Sequence, residues 1–457
     1  MTLSNLIQVC RYIPKLWCFI QNKHQIPFGN LMSIYLRTLS VAAALTAATT
    51  LVSYKSGPSP RTSKKPTLAA ADIKVPAGFT ATILAEDLET PRHLAVSKGG
   101  DIYVKINKLK DGKAIYRLRD TNGDGVIDEK IGFGNYKGSG MYIRGGYLYA
   151  SSATSVYRYK LNDKEEVIDY DNPELIVKGL VARGRDEAKN LTVDNNGYVY
   201  VNVGSYDETC KQPGTKQGIM PCPLLDSIGG IWRFKTDRLN QQYSEGIRYA
   251  TGLKNVVGLD WNSANNSLFA LMHGRGKFHE DFPQYYTPQD SEKLPAETLY
   301  ELHQGDDAGW PYVYYDPFQK KKILCPEYGG DGKKTGGENA VNPVADFPAH
   351  LGPNALLFYT GKMFPAKYKN GAFIAFHGQS PVLKKGYMVA FVPFKNGKPS
   401  GPWEIFADNF AGTDLAKPTG PVQHRPTGLA QGPDGAIYVT DDLNGTLYKI
   451  TYKAPKK

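Results

Sequence analysis

A chain of 457 residues, 41% hydrophobic and 12% aromatic, can bury a large core, and its 30 tyrosines, 47 glycines and 30 prolines favour strands joined by tight turns. The formal charge is +11, but the first 65 residues hold eight Lys/Arg and no acid, which leaves only +3 for the remainder. No Arg/Lys run interleaved with stacking aromatics occurs in that remainder, so nucleic-acid binding is excluded as a function class.

From Met32 the sequence reads MSIYLRTLSVAAALTAATTLVSYKSG: a short basic stretch ending at Arg37, an apolar stretch from Leu39 to Val52, then polar sequence containing proline. That order is a secretory signal. The apolar stretch falls short of the ~20 residues a bilayer span needs, and no cysteine follows it for lipid attachment. Residues 1–70 are therefore read as leader, signal peptide and linker, with Met1 or Met32 as the start. Residues 71–457 are the exported domain, periplasmic or secreted, with no stable membrane span once the signal is removed.

Within the exported domain a strand pattern recurs: GDIYV from Gly100, GYLYA from Gly146, GYVYV from Gly197, SLFAL from Ser267, GAFIAF from Gly371 and GAIYV from Gly435. Each copy is followed by another strand, such as AIYRL from Ala114 or TLYKI from Thr446, and most are preceded by an apolar strand ending in a turn, as in HLAVSKGG. Three or four antiparallel strands make one propeller blade, and closing the blades into a ring removes long exposed sheet edges. The predicted fold is an all-β, six-bladed β-propeller in a single domain. GFTATILAE, from Gly78, lies outside the copies and is expected to supply the strand the last blade lacks. The rival, a β-sandwich with coincidental GxxYV strands, is disfavoured by the regular recurrence. Spacing widens between Ser267 and Gly371, which puts inserted loops around Trp310 and Tyr328 on a rigid ring, where sites tend to lie.

Two local features stand apart. DTNGDGVIDE places oxygen donors at Asp120, Asn122, Asp124 and Asp128 with Gly125 at the sharp turn, like the front of a calcium loop. Ile131 stands where a helix-loop-helix hand carries its bidentate glutamate, so structural calcium and a plain acidic hairpin turn both remain open. Cys210 and Cys222 share the loop CKQPGTKQGIMPC, where a disulfide would stabilise an exported protein by roughly 3 kcal/mol through loop closure. Cys10 and Cys18 fall in the leader, and Cys325 is left over, expected to be buried.

The order of KNLTVDNNGYVYVNVGS, the cysteine loop ending in MPCP, GGIWRF, RYATGLKNVVGLDWN, HGRGKFH, GDDAGWPYVYYD, FPAHLGPNALLFYTG, GAFIAFHG and HRPTGLAQGPDG resembles the soluble sugar and sorbosone dehydrogenases that use pyrroloquinoline quinone, over about Val75 to Tyr452. The resemblance implies a quinone on the ring axis, a calcium ion bridging it to the protein, and a base that takes a sugar hydroxyl proton while hydride goes to the quinone, giving a lactone or acid. The family's base histidine aligns with Asp186, which is either that base or an ion-pair partner of Arg183 and Arg185. The family's Arg-Asn pair is Lys254-Asn255, which keeps the charge and loses the bidentate fork. The calcium carbonyls align with Gly274 and Arg275, and Gly276 replaces an aspartate. Arg425, His350 and His377 match cofactor-side positions, QSPVLKKG replaces an aromatic-polar run of the pocket wall, and Trp310-Pro311 is assigned to packing.

The leading reading is thus a quinone-dependent oxidoreductase acting on an aldose or related aldehyde, passing electrons to an unidentified acceptor. A periplasmic binding propeller without catalysis is the alternative. A calcium-dependent lactone hydrolase ranks last, because no convincing set of axial carboxylates is present.

Overall fold

The computed structural model describes residues 71–184, 187–378 and 385–455. Each recurrent pattern forms the second strand of one antiparallel sheet. Blade 1 comprises Pro91–Val96, Ile102–Lys110, Lys113–Arg119 and Glu129–Phe133; blade 2 comprises Met141–Arg144, Tyr147–Ser151, Ser155–Lys160 and Glu174–Lys178. Blade 3 holds Leu191–Val193, Tyr198–Val203, Gly230–Lys235 and Ile247–Thr251; blade 4 holds Val256–Asn262, Ser267–Met272, Glu297–Leu302 and Ala345–Phe347. Blade 5 is Pro353–Phe358, Ala372–Phe376, Met388–Val392 and Glu404–Ala407. Blade 6 takes Pro426–Gln431, Ile437–Asp441 and Thr446–Tyr452 from the end of the chain and Phe79–Ala85 from its beginning, registered from Phe79 against Tyr452 to Ala85 against Leu447. The expected six-bladed propeller is present, closed by the expected segment.

Period-two alternation explains the packing, because successive residues of a strand face opposite sides. Val199, Val201 and Val203 join a core with Trp232 and Tyr149 of blade 2, whereas Tyr200 between them faces Trp261 of blade 4, its ring stacked 5.4 Å from the indole. In blade 5, Phe373 and Ala375 face blade 6 while Ala372, Ile374 and Phe376 face blade 4. The turn before the second strand needs a left-handed residue, supplied by glycine at Gly100, Gly146, Gly197 and Gly435 (φ 79–93°). Asn266 and Asn370 do the same in blades 4 and 5, with φ of 55° and 60°.

The long insertion lies within blade 4. It carries the short helices Phe278–Asp281 and Pro288–Lys293 and the hairpin Val313–Asp316 with Lys321–Leu324, around a small core of Phe278, Tyr286, Tyr314, Ile323 and the free, buried Cys325. Cys210 and Cys222 are joined in a disulfide, as expected. No helix among the described residues is long and apolar enough to cross a membrane.

One consequence of this topology positions the site. The start of each inner strand lies beside the end of the second strand, so Pro91 pairs with Ile106, Val256 with Met272, Pro353 with Phe376 and Pro426 with Asp441. Residues at those strand ends gather at one mouth of the ring.

Candidate active site

A cleft of about 330 Å³ opens at this mouth, within the size range of small-molecule sites, and Arg92, Glu187, Lys254, Asn255, His273, Gly274, Glu297 and His377 are among its walls. A second axial cavity, about 400 Å³, is lined by later residues of the inner strands, including Arg144, Asp260 and Gln431, and lacks such a gathering of cations.

Asp442, just past the second strand of blade 6, organises one wall of the cleft. Arg92 Nη1 donates to its Oδ2 at 2.5 Å, Arg425 Nε donates to Oδ1 at 2.7 Å, and His377 Nε2 lies 3.1 Å from Oδ2. Burial alone would raise this carboxyl, but the His377 hydrogen bond and the Arg92 and Arg425 charges take it well below the ordinary carboxylate range. Asp441 fixes the neighbouring loop: the Arg425 N–H donates to its Oδ1 at 2.8 Å, and His424 Nδ1 lies 2.7 Å from Oδ2. Two guanidinium groups therefore share the Asp442 carboxylate at the axis.

The facing wall belongs to blade 4 and the loop of blade 3. Lys254 Nζ donates to Glu208 Oε1 at 2.9 Å and to the Gly274 carbonyl at 3.2 Å. Glu208 is held in turn by Trp310, whose Nε1 donates to its carbonyl at 3.0 Å, so Trp310 does more than fill space. Glu297, buried, accepts the N–H of Gly274 at 2.9 Å and of Gly352 at 3.4 Å; burial nonetheless raises its carboxyl to about 7. His273 donates Nε2–H to the Pro353 carbonyl at 2.9 Å, and burial with the Lys254 charge lowers it to about 3, keeping it neutral. His93 is likewise lowered to about 4 by burial and bonds the Asn354 carbonyl at 2.8 Å.

The sequence-predicted residues are distributed unevenly. Lys254, Asn255 and His377 line the cleft, and Arg425 adjoins it through Asp442. His350, at φ 66°, turns its ring to the Ser291 carbonyl at 2.7 Å and does not line the cleft. Asp186 and most of QSPVLKKG lie outside the described residues; Glu187, beside Asp186, does line the cleft and accepts the Gly184 N–H. Arg92, Glu208, Glu297 and Asp442 were not picked out from sequence. The available signal was position: Arg92 stands at the start of an inner strand, as Arg425 and Lys254 do.

The acidic loop of blade 1 bridges Lys113–Arg119 and Glu129–Phe133. Asp120 accepts the N–H groups of Gly123, Asp124 and Gly125, Asn122 accepts that of Asp124, and Asp128 accepts both the N–H and hydroxyl of Thr121. Its oxygens close the turn on itself, and among the described residues no three His, Cys, Asp or Glu side chains are placed to hold a metal ion.

Arg92 and Lys254 on the cleft wall and Arg425 beside it are already ordered by Asp442 and Glu208, so an anionic ligand would meet cations that need no further ordering. The expected calcium position fits less well. The Gly274 carbonyl already accepts from the Lys254 ammonium. The Arg275 guanidinium grips buried Glu327, Nη1 lying 2.7 Å from both carboxylate oxygens, which fixes the loop but does not bear on the backbone carbonyl that was the expected ligand.

The same ring is found in solved structures. The calcium structure of a Trichoderma reesei carbohydrate-active enzyme of family AA12 has 18% sequence identity, covering 86% of this chain and 100% of its own, with a TM-score of 0.66. The holo form of the pyranose dehydrogenase PQQ domain from Coprinopsis cinerea has 18% identity, covering 84% and 98%, with a TM-score of 0.65. An uncharacterised protein of Borreliella burgdorferi is 25% identical over 413 residues, 85% of this chain and 94% of its own length. A model of the TrAA12-like family matches residues 73–316 and 326–453, which takes in every blade and both walls of the cleft: the chain belongs to the TrAA12-like family.

Proposed function

We propose that the protein is an exported quinoprotein that oxidises an aldose or related aldehyde sugar, sorbosone-like, to a lactone or acid with pyrroloquinoline quinone as its redox cofactor. One observation carries this reading: Arg92, Arg425 and Lys254 converge on a cleft at the ring axis, each anchored on a carboxylate of Asp442 or Glu208. Such a cradle suits a rigid cofactor with three carboxylates, which would be costly to bury unpaired. The holo PQQ domain of the Coprinopsis pyranose dehydrogenase, which shares this fold, supports the choice of cofactor.

When bound, the quinone supplies the hydride acceptor. Arg92, Arg425 and Lys254 would hold its carboxylates. Asp186 accepts the sugar hydroxyl proton. Glu297 is a second carboxyl on the cleft wall whose value of about 7 suits proton exchange near neutral pH. The disulfide supports an oxidising compartment, periplasmic or secreted. A separate electron acceptor would reoxidise the cofactor.

The test is reconstitution of the purified protein with the quinone, with and without calcium, followed by dye reduction across a panel of sugars. Dye reduction with at least one aldose is expected. Quinone binding with no reduction for any sugar identifies a binding propeller instead, and no quinone binding under any condition rejects the reading altogether.

A further inference from the structure

We propose that in this chain the Lys254 ammonium takes the place a divalent cation would hold at the Gly274 carbonyl, so that the polyanionic ligand is bound at the ring axis without calcium. The ligand's identity rests on the quinone reading above; the placement of the cation does not.

The Lys254 side chain is 8% exposed, and its Nζ is committed to two oxygens, Glu208 Oε1 at 2.9 Å and the Gly274 carbonyl at 3.2 Å. An ammonium is a compact point charge, and a carbonyl oxygen serves it as it would serve a hard cation. A dication on the same oxygen would stand a few ångströms from that ammonium, in a cleft where like charges are poorly screened.

The nearby side chains point the same way. A calcium ion takes six to eight oxygen ligands. Glu297, the buried carboxylate that accepts the Gly274 N–H, also accepts that of Gly352, so each of its oxygens already carries a hydrogen bond. Glu208 holds the ammonium, and Gly276 has no side chain to offer. Lysine in place of the arginine the resemblance implies makes the arrangement possible, since a single ammonium at the end of a flexible stem reaches a lone carbonyl that a planar fork would engage differently.

Two measurements decide the proposal. The first is quinone binding to the full-length protein, followed by tryptophan fluorescence, in excess chelator and in excess calcium. Wild type is expected to bind with the same affinity in both, within about threefold, whereas Lys254→Met loses about tenfold or more in chelator. Binding by wild type only when calcium is present overturns the proposal, as does undiminished binding by Lys254→Met. The second is a calcium soak of ligand-free crystals, which needs no quinone and no variant. The ammonium on the Gly274 carbonyl with no ion beside it is expected, and a calcium ion on that oxygen overturns the proposal. Absence of quinone binding in both conditions rejects the quinone reading, while the soak still decides the cation.

Discussion

Arg92 and Asp442 are 350 positions apart in the chain, yet Arg92 Nη1 lies 2.5 Å from Asp442 Oδ2, because ring closure sets the first blade beside the last. The contact joins the architecture to the site: the carboxylate that staples the seam also presents two guanidinium groups to the axis.

Asp442→Asn therefore removes the charge that both arginines share. A loss of about 3 kcal/mol at neutral pH is expected in urea unfolding, the low end for breaking a buried ion pair. Because the folded state holds this carboxyl below its ordinary 3.8, its contribution is full above that pH and fades as the pH falls below it. The gap between wild type and variant should stay constant from neutral pH to about 5 and narrow only in acid. A gap that is flat down to strong acid would show that the Asp442 charge is not what stabilises the seam.

Glu297→Gln should have the opposite pH signature. A carboxyl raised from 4.5 to about 7 in the folded state costs stability as pH rises through that window. Wild type should lose up to about 3 kcal/mol between pH ~4.5 and ~7 that the amide variant does not lose. Parallel stability profiles for the two proteins would count against the raised carboxyl. If Glu297 also exchanges protons in turnover, the limb of the rate profile near neutral pH should disappear in the variant.

Arg425→Ala should weaken quinone binding by about 2 kcal/mol, the cost of losing one partner of a hydrogen-bonded charge pair. Thermal stability should change less than in Asp442→Asn, since Arg92 and His377 still hold the carboxylate. Unchanged affinity in a calorimetric titration would remove Arg425 from the ligand's surroundings.

Asp186→His tests the proton acceptor directly. An imidazole, with an ordinary value near ~6.5 against ~3.9 for aspartate, is the stronger base at neutral pH, so sugar-dependent dye reduction should rise. A fall instead would mean that the aspartate is already tuned by its surroundings.

The propeller was legible because its physics is repetitive. A left-handed glycine before an alternating aromatic-aliphatic strand, as at Gly197 to Val201, marks a blade wherever it recurs. Asn266 and Asn370 show the same turn written with another residue. Ordered motifs at strand starts picked out Lys254, which lines the cleft, and Arg425, which adjoins it through Asp442. Asp442, Glu208 and Glu297 were not, because their importance lies in partners distant in sequence, brought together only when strand ends meet at the mouth. His350 shows the reverse difficulty: it matches the motif, but a left-handed backbone turns its ring to a helix carbonyl.

The pairing of Phe79–Ala85 with Thr446–Tyr452 also governs biogenesis. During synthesis the opening strand emerges long before its sheet partner, so this pairing is among the last long-range contacts that the chain can form. A chain cut short before Thr446 lacks the partner of Phe79–Ala85 and cannot complete the sixth sheet.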